Sequence, residues 1–570
     1  MGLNFMYNDD VCKNMKWKIN AFAFFVIFLF IVLFFRILYI QTVKSFDYRD
    51  FLKKQLVKSE EVRNLRGNVY DRNGELLAFS NLKYSYFCFP KKVKDSTEIA
   101  NFLFNKLHIQ QQVFFDKLAK AKGFFWIVRK FESAADVDTK SEKLKMPTGM
   151  DRVKEEKRFY PNGNLAAHVL GYTGLDNKGL SGIEYSLEDT LKGSVIKIKK
   201  ERDAKGRDLQ PDEVLKIENS KSQNVYLTID KNIQFIVEKH LQKMFEKNKP
   251  ESATVIVQDI KTGEILALAN LPTFDANEIQ DDVKDLKNDA VGKVYEPGST
   301  LKILVAGAAI EEGLFTLKDK IYCERGKFAV FNHVIKDHDK AYMDLPLEDV
   351  LAYSSNVGMA KVGEKLGKEK MFYYLQKFGF GCYTGIELPG EERGLLKNDR
   401  TMYDISPYML AFGQGLGVTG IQLVNAFSAI ANKGVMVEPK IIKAIEKDGL
   451  MQEQKTRVIR RILSEKVCED LMYAMGQVVL KGTAQNVKIS GYKTCGKTGT
   501  AQKLDKNTKT YSEYDYIASF IGIFPADRPM FTILVIADSP RGVYWGGDVC
   551  GPVFRDIAKE LAYYYKIPQN

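Results

Sequence analysis

Residues 19 to 40 read INAFAFFVIFLFIVLFFRILYI, an apolar run of twenty-two positions interrupted only by Asn20 and Arg36. At about 1.5 Å per residue a helix of that length spans about 33 Å, enough to cross a hydrocarbon core of about 30 Å. Both interruptions lie near enough to an end to reach the interface. The run is longer than the apolar stretch of a signal peptide and has no A-x-A-like site, so it predicts one membrane anchor and no second span. A Lys/Glu-rich stretch with helical periodicity follows. LRGNVYDRNGELLAFS then reads as two strands joined by a turn at Asp71-Arg72-Asn73-Gly74. Residues 92–157 are charged and mostly helical in pattern, and two Gly- and aromatic-rich segments follow at 158–174 and 179–193.

Near residue 220 the pattern changes. NVYLTID leads into the helix-like KNIQFIVEKHLQKMFEK, and ATVIVQDIKTGEILALAN reads as a β-hairpin. From there to about residue 564 apolar helices alternate with β-branched strands. This predicts an α/β (α+β) arrangement in which helices cover a sheet. The expected organisation is a tail at 1–18, a transmembrane helix at 19–40, and two further parts at 41–221 and 222–570. No internal repeat or low-complexity tract interrupts it.

Composition narrows the classes. At 570 residues the chain is too long for one ordinary domain, and 45% hydrophobic with 27% charged residues suits packed cores. The net charge of +12 suits an anionic partner such as a membrane surface or an acidic polymer. Nucleic acid is the weaker partner, because the lysines are dispersed and no C2H2, basic-zipper or RNP-like signature occurs. Lysines both precede and follow the apolar run, so the positive-inside count leaves its orientation undecided. The seven cysteines show no C-x-x-C pair or metal spacing, and most read as small core residues. His333 and His338 flank a charged loop, HVIKDHDK. Asp337-His338-Asp339 there imitates a metal site but reads as solvated.

Three short motifs carry the candidate chemistry. Ser-x-x-Lys occurs at Ser80/Lys83, Ser299/Lys302 and Ser490/Lys493; Lys-Thr-Gly at 261–263 and 497–499; Ser-x-Asn at Ser222/Asn224 and Ser354/Asn356. Only Ser299/Lys302 opens a helix, where positions three apart share a face. Ser299 reads either as an N-cap or as a nucleophile. Lys302 is ill placed for a capping box and sits at the positive end of a helix, a position that suits a neutral amine. The Lys-Thr-Gly at 261–263 is explained as a hairpin turn. The second lies on a polar strand that could place Lys497, Thr498 and Thr500 along one side of a cleft, with Gly499 admitting a substrate backbone. Ser354-Ser355-Asn356 falls in a loop between two helical segments.

The order Ser-x-x-Lys, Ser-x-Asn, Lys-Thr-Gly resembles the penicillin-binding proteins and serine β-lactamases. R66-G-N-V-Y-D-R-N-G74, R158-F-Y-P-N-G163 and GLSGIE (179–184) resemble the N-terminal module of class B penicillin-binding proteins. FGFGCYTGIELPGE, FGQGLGVTGIQL, SFIGIFPADRP and WGGDVCGPVF resemble their transpeptidase domain. Cys550-Gly551 departs from the two alanines common in relatives. The resemblance implies an elongated, mostly-β pedestal of the dimerisation type and a transpeptidase domain whose helices cover an antiparallel sheet. It implies a monofunctional D,D-transpeptidase, most like division-specific members, with the catalytic domain outside the cytoplasmic (inner) membrane and the N-terminus in the cytoplasm. It carries over Ser299 as nucleophile, Lys302 as base, Ser354 as proton relay, Asn356 as amide partner and Lys497 as cleft cation. Thr498, Gly499 and Thr500 would bind substrate, and the N–H groups of Ser299 and Thr500 would form the oxyanion hole. No metal or cofactor is implied. The partners implied are D-Ala-D-Ala stem peptides, β-lactams, the membrane, a glycan polymerase and other division proteins. The alternatives are an elongation-specific transpeptidase, a tethered β-lactamase or carboxypeptidase, a β-lactam sensor, and a scaffold for the polymerase.

Overall fold

The computed structural model describes residues 9–63, 65–131, 145–193, 195–201, 213–214, 222–278, 287–338, 341–504 and 510–569. They form two units. One combines Met1–Asn64 with Ser194–Ser220, and the other combines Leu65–Gly193 with Lys221–Asn570.

In the first unit the helix Asp9–Thr42 contains the apolar run, and Ser45–Leu56 continues as a shorter helix. Met15–Thr42, with mean hydropathy 2.9, is the one helix among the described residues long and apolar enough to cross a membrane. Its Phe, Ile and Leu side chains point outward all round, the distribution of a helix whose solvent is lipid. Val57–Arg63, Val195–Glu201 and Glu213–Val214 close this unit as a three-stranded antiparallel sheet.

The second unit is organised by two sheets. Five antiparallel strands lie in the order Ile265–Leu271, Ser252–Asp259, Phe531–Asp538, Tyr511–Phe524, Cys495–Leu504, which leaves Cys495–Leu504 at an edge. Alternating side chains of the inner strands face opposite layers. Val255, Val257, Ile533 and Val535 pack with Ile233 and Val237 of the Lys231–Asn248 helix and with Phe554 and Ile557 of the Gly551–Tyr564 helix. Ile256, Leu534 and Ile536 pack instead with the Gly420–Ala431 and Leu301–Glu311 helices. Burial on both faces explains why these strands read as continuous apolar runs. The expected β-hairpin is present, and its Lys261-Thr262-Gly263 is the turn, closed by Asp259 Oδ1 accepting from the Lys261 and Thr262 N–H groups.

The other sheet joins sequence-distant strands. Val69–Tyr70 pairs antiparallel with Leu76–Cys88 and parallel with Asn224–Leu227, which in turn pairs with Ile442–Lys447. Leu76–Cys88 also pairs with Phe125–Phe131 and with Met150–Phe159. The helices Ser96–Leu107 and Gln111–Lys120 fit the helical pattern expected for 92–157, but these last two strands do not. MDRVKEEKRF has no apolar alternation and becomes a strand because Leu76–Cys88 offers it ten ladder positions.

Three segments that carry the resemblance meet at one buried carboxylate. Glu184 accepts from Arg66 Nε at 2.5 Å and from Arg158 Nε at 2.7 Å, and both arginines are almost fully buried. Arg66 also pairs with Glu188, and Arg158 donates to the Gly67 carbonyl. A buried ion pair depends on how fully its remaining donors are satisfied. Arg66 finds acceptors for Nε, Nη1 and Nη2, whereas Arg158 Nη2 has no partner among the described residues.

Candidate active site

At Pro297-Gly298 the chain turns with Gly298 at φ +55°, and the Gly298 N–H donates to the Gly413 carbonyl at 3.2 Å. A Cβ on Gly413 would lie 2.0 Å from the Gly298 oxygen, so the FGQG loop must present bare backbone here. Gly298–Thr300 then forms one 3₁₀ turn before the α-helix Leu301–Glu311 begins. That turn places Ser299 outside the capping position. Thr300 holds it, with Thr300 Oγ1 donating to the Pro297 carbonyl, and the half-buried Ser299 hydroxyl has no hydrogen-bond partner among the described residues. Ser299 therefore does not cap this helix, and Thr300 at the cap position makes no side-chain cap hydrogen bond.

Lys302 is fully buried and points at the Ser-x-Asn loop. Its Nζ donates to the Ser354 carbonyl at 2.6 Å, to Asn356 Oδ1 at 2.7 Å and to Ser354 Oγ at 3.1 Å. Ser354 adopts φ +60°, a left-handed conformation that costs a non-glycine residue about 1 kcal/mol and turns both its oxygens toward the lysine. Asn356 Nδ2 donates to the Lys336 carbonyl at 2.9 Å, which fixes the amide so that Oδ1 faces Lys302. A neutral lysine has two donors and one lone pair. The Ser354 carbonyl and Asn356 Oδ1 can only accept, so they take both donors and leave the lone pair for a hydroxyl.

The electrostatics favour that neutral form. Burial and the neighbouring Lys497 hold Lys302 well below the ordinary lysine value, and the Asp337 carboxylate pulls partly the other way. Lys497, also fully buried, is pushed down to about 7 by burial. Its Nζ lies 3.0 Å from Ser354 Oγ, so one hydroxyl bridges two buried amines that cannot both carry charge.

The edge strand Cys495–Leu504 supplies the opposite wall. Thr498 and Thr500 line the cavity, whereas Lys497 leaves the strand on the other face and reaches the site from beneath. The three side chains do not share one side, as the sequence pattern suggests. Gly499 also differs from expectation. A Cβ there would lie 2.3 Å from Ser519 Oγ and 3.0 Å from the Pro297 carbonyl, so the close approach is made by the neighbouring strand and by the turn that carries Ser299.

Four contributors escape sequence reading. Asp337 lies in an exposed loop, as expected, but its carboxylate is engaged: it accepts from Ser355 Oγ at 2.9 Å and from the Asn356 and Val357 N–H groups at 2.6 and 3.0 Å. It thus seats the N-terminus of the helix Asn356–Lys377, whose own N-cap is Ser355. Thr483 shares a 2.8 Å hydrogen bond with Thr498, and His338 meets Trp545 edge-on at 5.6 Å across the cleft. Asp337, His338 and Trp545 lie in segments that the sequence singles out, HVIKDHDK and WGGDVCGPVF, but these contacts do not show there, because each is made to a distant segment. The cleft has two lobes, of about 350 and 440 Å³, that share Ser299, Thr500 and Trp545.

A serine on a short turn, two buried lysines bridged by a second serine, and an edge strand of threonines define a serine–lysine acyl-transfer site. Comparison with known proteins agrees. Residues 253–559 match the penicillin-binding protein transpeptidase domain, and residues 61–227 match the penicillin-binding protein dimerisation domain. The chain belongs to the penicillin-binding protein transpeptidase family. It is 32% identical to stage V sporulation protein D of Bacillus subtilis, over 94% of this chain and 84% of that protein. It is 33% identical to the probable peptidoglycan D,D-transpeptidase PenA of Neisseria gonorrhoeae, over 93% and 89%. Among solved structures it resembles penicillin-binding protein 3 of Mycobacterium tuberculosis complexed with ampicillin, with TM-score 0.70, 28% identity and coverage of 90% and 97%.

Proposed function

We propose that this chain is a septal peptidoglycan D,D-transpeptidase working through a Ser299 acyl-enzyme. D,D-transpeptidase activity and susceptibility to β-lactams follow from the family; the residue roles and the septal task are the proposal. The observation that carries it is the Lys302–Ser354–Lys497 arrangement beside an uncommitted Ser299 hydroxyl. Ser299 Oγ attacks the penultimate D-alanine carbonyl and its proton passes to neutral Lys302, a base contribution of about 10²–10⁴-fold. The oxyanion is met by the Ser299 and Thr500 N–H groups, and losing one such donor costs about 3 kcal/mol. Ser354 relays the proton to the departing D-alanine, and Asn356 binds the substrate amide. Thr498 and Thr500 hold the terminal carboxylate. That arriving anion restores the proton, and hence the charge, on Lys497. Gly499 keeps the strand close to the nucleophile turn.

Stem peptides lie outside the cytoplasmic membrane, so the anchor leaves residues before it in the cytoplasm and the catalytic part outside. The part before residue 222 is the proposed non-catalytic module of the pedestal type, and the part after it bears the site. A membrane glycan polymerase and other division proteins are its proposed partners. The WGGDVCGPVF segment and chain length favour the septal task; the relative named for sporulation supports a second reading, a sporulation-linked transpeptidase. In cells depleted of the native chain, wild type restores septa, whereas Ser299→Ala at equal abundance leaves filaments. Rounded cells would assign elongation, and rescue by Ser299→Ala would remove the catalytic role.

A further inference from the structure

We propose that the smaller lobe of the cleft, between the Tyr342/Tyr353 pair and Asp548, receives the amine of the acceptor stem peptide. The inference rests on the transpeptidase reading and names the substrate group that this half of the site takes.

Microscopic reversibility supplies the first step. The acceptor nitrogen replaces the D-alanine nitrogen on the same carbonyl carbon, so it approaches along the path by which D-alanine left. In the proposed mechanism the leaving carboxylate sits at Thr498 and Thr500. Thr498 lines only the lobe of about 350 Å³, together with Thr483 and Gly547. The larger lobe runs along Gln502 toward Gln414 and the stacked Tyr516 and Tyr544 rings, and is left to the donor stem.

The chemistry of the smaller lobe suits a cation. Tyr342 and Tyr353 stack with centroids 5.6 Å apart and planes 11° from parallel, and both line the cavity, where an aromatic pair favours a cation. Asp548 lines the same lobe and is exposed; its carboxylate accepts one long contact, 3.4 Å from Asn486 Nδ2. The other carboxylate in the lobe, Asp337, is committed to the helix N-terminus. The larger lobe offers His333 and Lys336 and no carboxylate besides Asp337. An alkylammonium is therefore drawn to the smaller lobe and repelled by Lys336 of the larger one.

The lobe also leads to a proton acceptor. Tyr353 immediately precedes Ser354, whose Oγ contacts both buried amines. The arriving ammonium sheds one proton to water. The free amine attacks the ester carbonyl, the C–N bond forms and the C–O bond to Ser299 breaks. The second amine proton passes through Ser354 Oγ to neutral Lys302, which returns a proton to the Ser299 oxygen. Ser299 is regenerated, and no redox partner enters.

The test uses the full-length chain in detergent, an acyl-D-alanyl thioester as donor, and a synthetic stem peptide with a free side-chain amine as acceptor. Fluorescent-penicillin labelling and thiol release report acylation; mass spectrometry of the crosslinked product reports transfer. Asp548→Asn is expected to raise the acceptor KM about fivefold, and Asp548→Lys to raise it further, with acylation unchanged. Added salt should raise the wild-type acceptor KM and move that of Asp548→Asn little. Unchanged acceptor KM in both variants, or acylation falling in step with transfer, overturns the assignment. A wild-type chain that neither labels nor releases thiol overturns the transpeptidase reading itself, and the acceptor lobe with it.

Discussion

Lys302 shows what a sequence motif conveys and what it omits. The spacing of Ser299 and Lys302 marks the pair, and the order of three motifs gathers the participating residue types. The contacts differ from the spacing: Lys302 donates to Ser354 and Asn356, and Lys497 reaches Ser354 from the opposite face of its strand. The role of Asp337 is not legible locally, because its partners are the N-cap and the first two positions of a helix that starts nineteen residues later. Its anion is the group that favours a proton on Lys302. Removing that anion lowers the Lys302 pKa further, so the neutral base persists to lower pH. Asp337→Asn should therefore shift the acid limb of the penicillin acylation rate toward lower pH, read by stopped-flow labelling across a pH series. The lost anion at the helix N-terminus should also cost about 1 kcal/mol of stability. A residue with only a structural role would scale the rate and leave the limb where it was.

Among the elements, those with internal periodicity were the readable ones. The turn at Asp71–Gly74, the hairpin through Lys261-Thr262-Gly263 and the helix Lys231–Asn248 all follow local pattern. Phe125–Phe131 and Met150–Phe159 do not, since the ladder of Leu76–Cys88 makes them strands and their own alternation does not. The short helix Gly182–Ser186 exists to deliver Glu184 between Arg66 and Arg158, contacts that bridge 118 and 26 residues and leave no local trace. Glu184→Gln would leave two buried guanidinium groups sharing a neutral amide. It should destabilise the unit by about 3–5 kcal/mol, seen as a lower urea midpoint at unchanged slope. A midpoint equal to wild type would mean that the arginines find other partners.

For the whole molecule, the apolar run and the motif order were enough to give the anchor and the family, while the joining of the parts was not written locally. Val69–Tyr70 pairs with Asn224–Leu227 across more than 150 residues, so a composition change near 222 coincides with a strand shared by the segments on either side. The net charge of +12 fits a chain that works between an anionic membrane surface and a carboxylate-bearing polymer. The central claim is that Ser299 becomes acylated. Mass spectrometry of the β-lactam-treated, trypsin-digested chain tests it most directly. The adduct should fall on the peptide Val294–Lys302, which carries Ser299. An adduct on the peptide bearing Ser80 or Ser490, or none at all, would contradict the account.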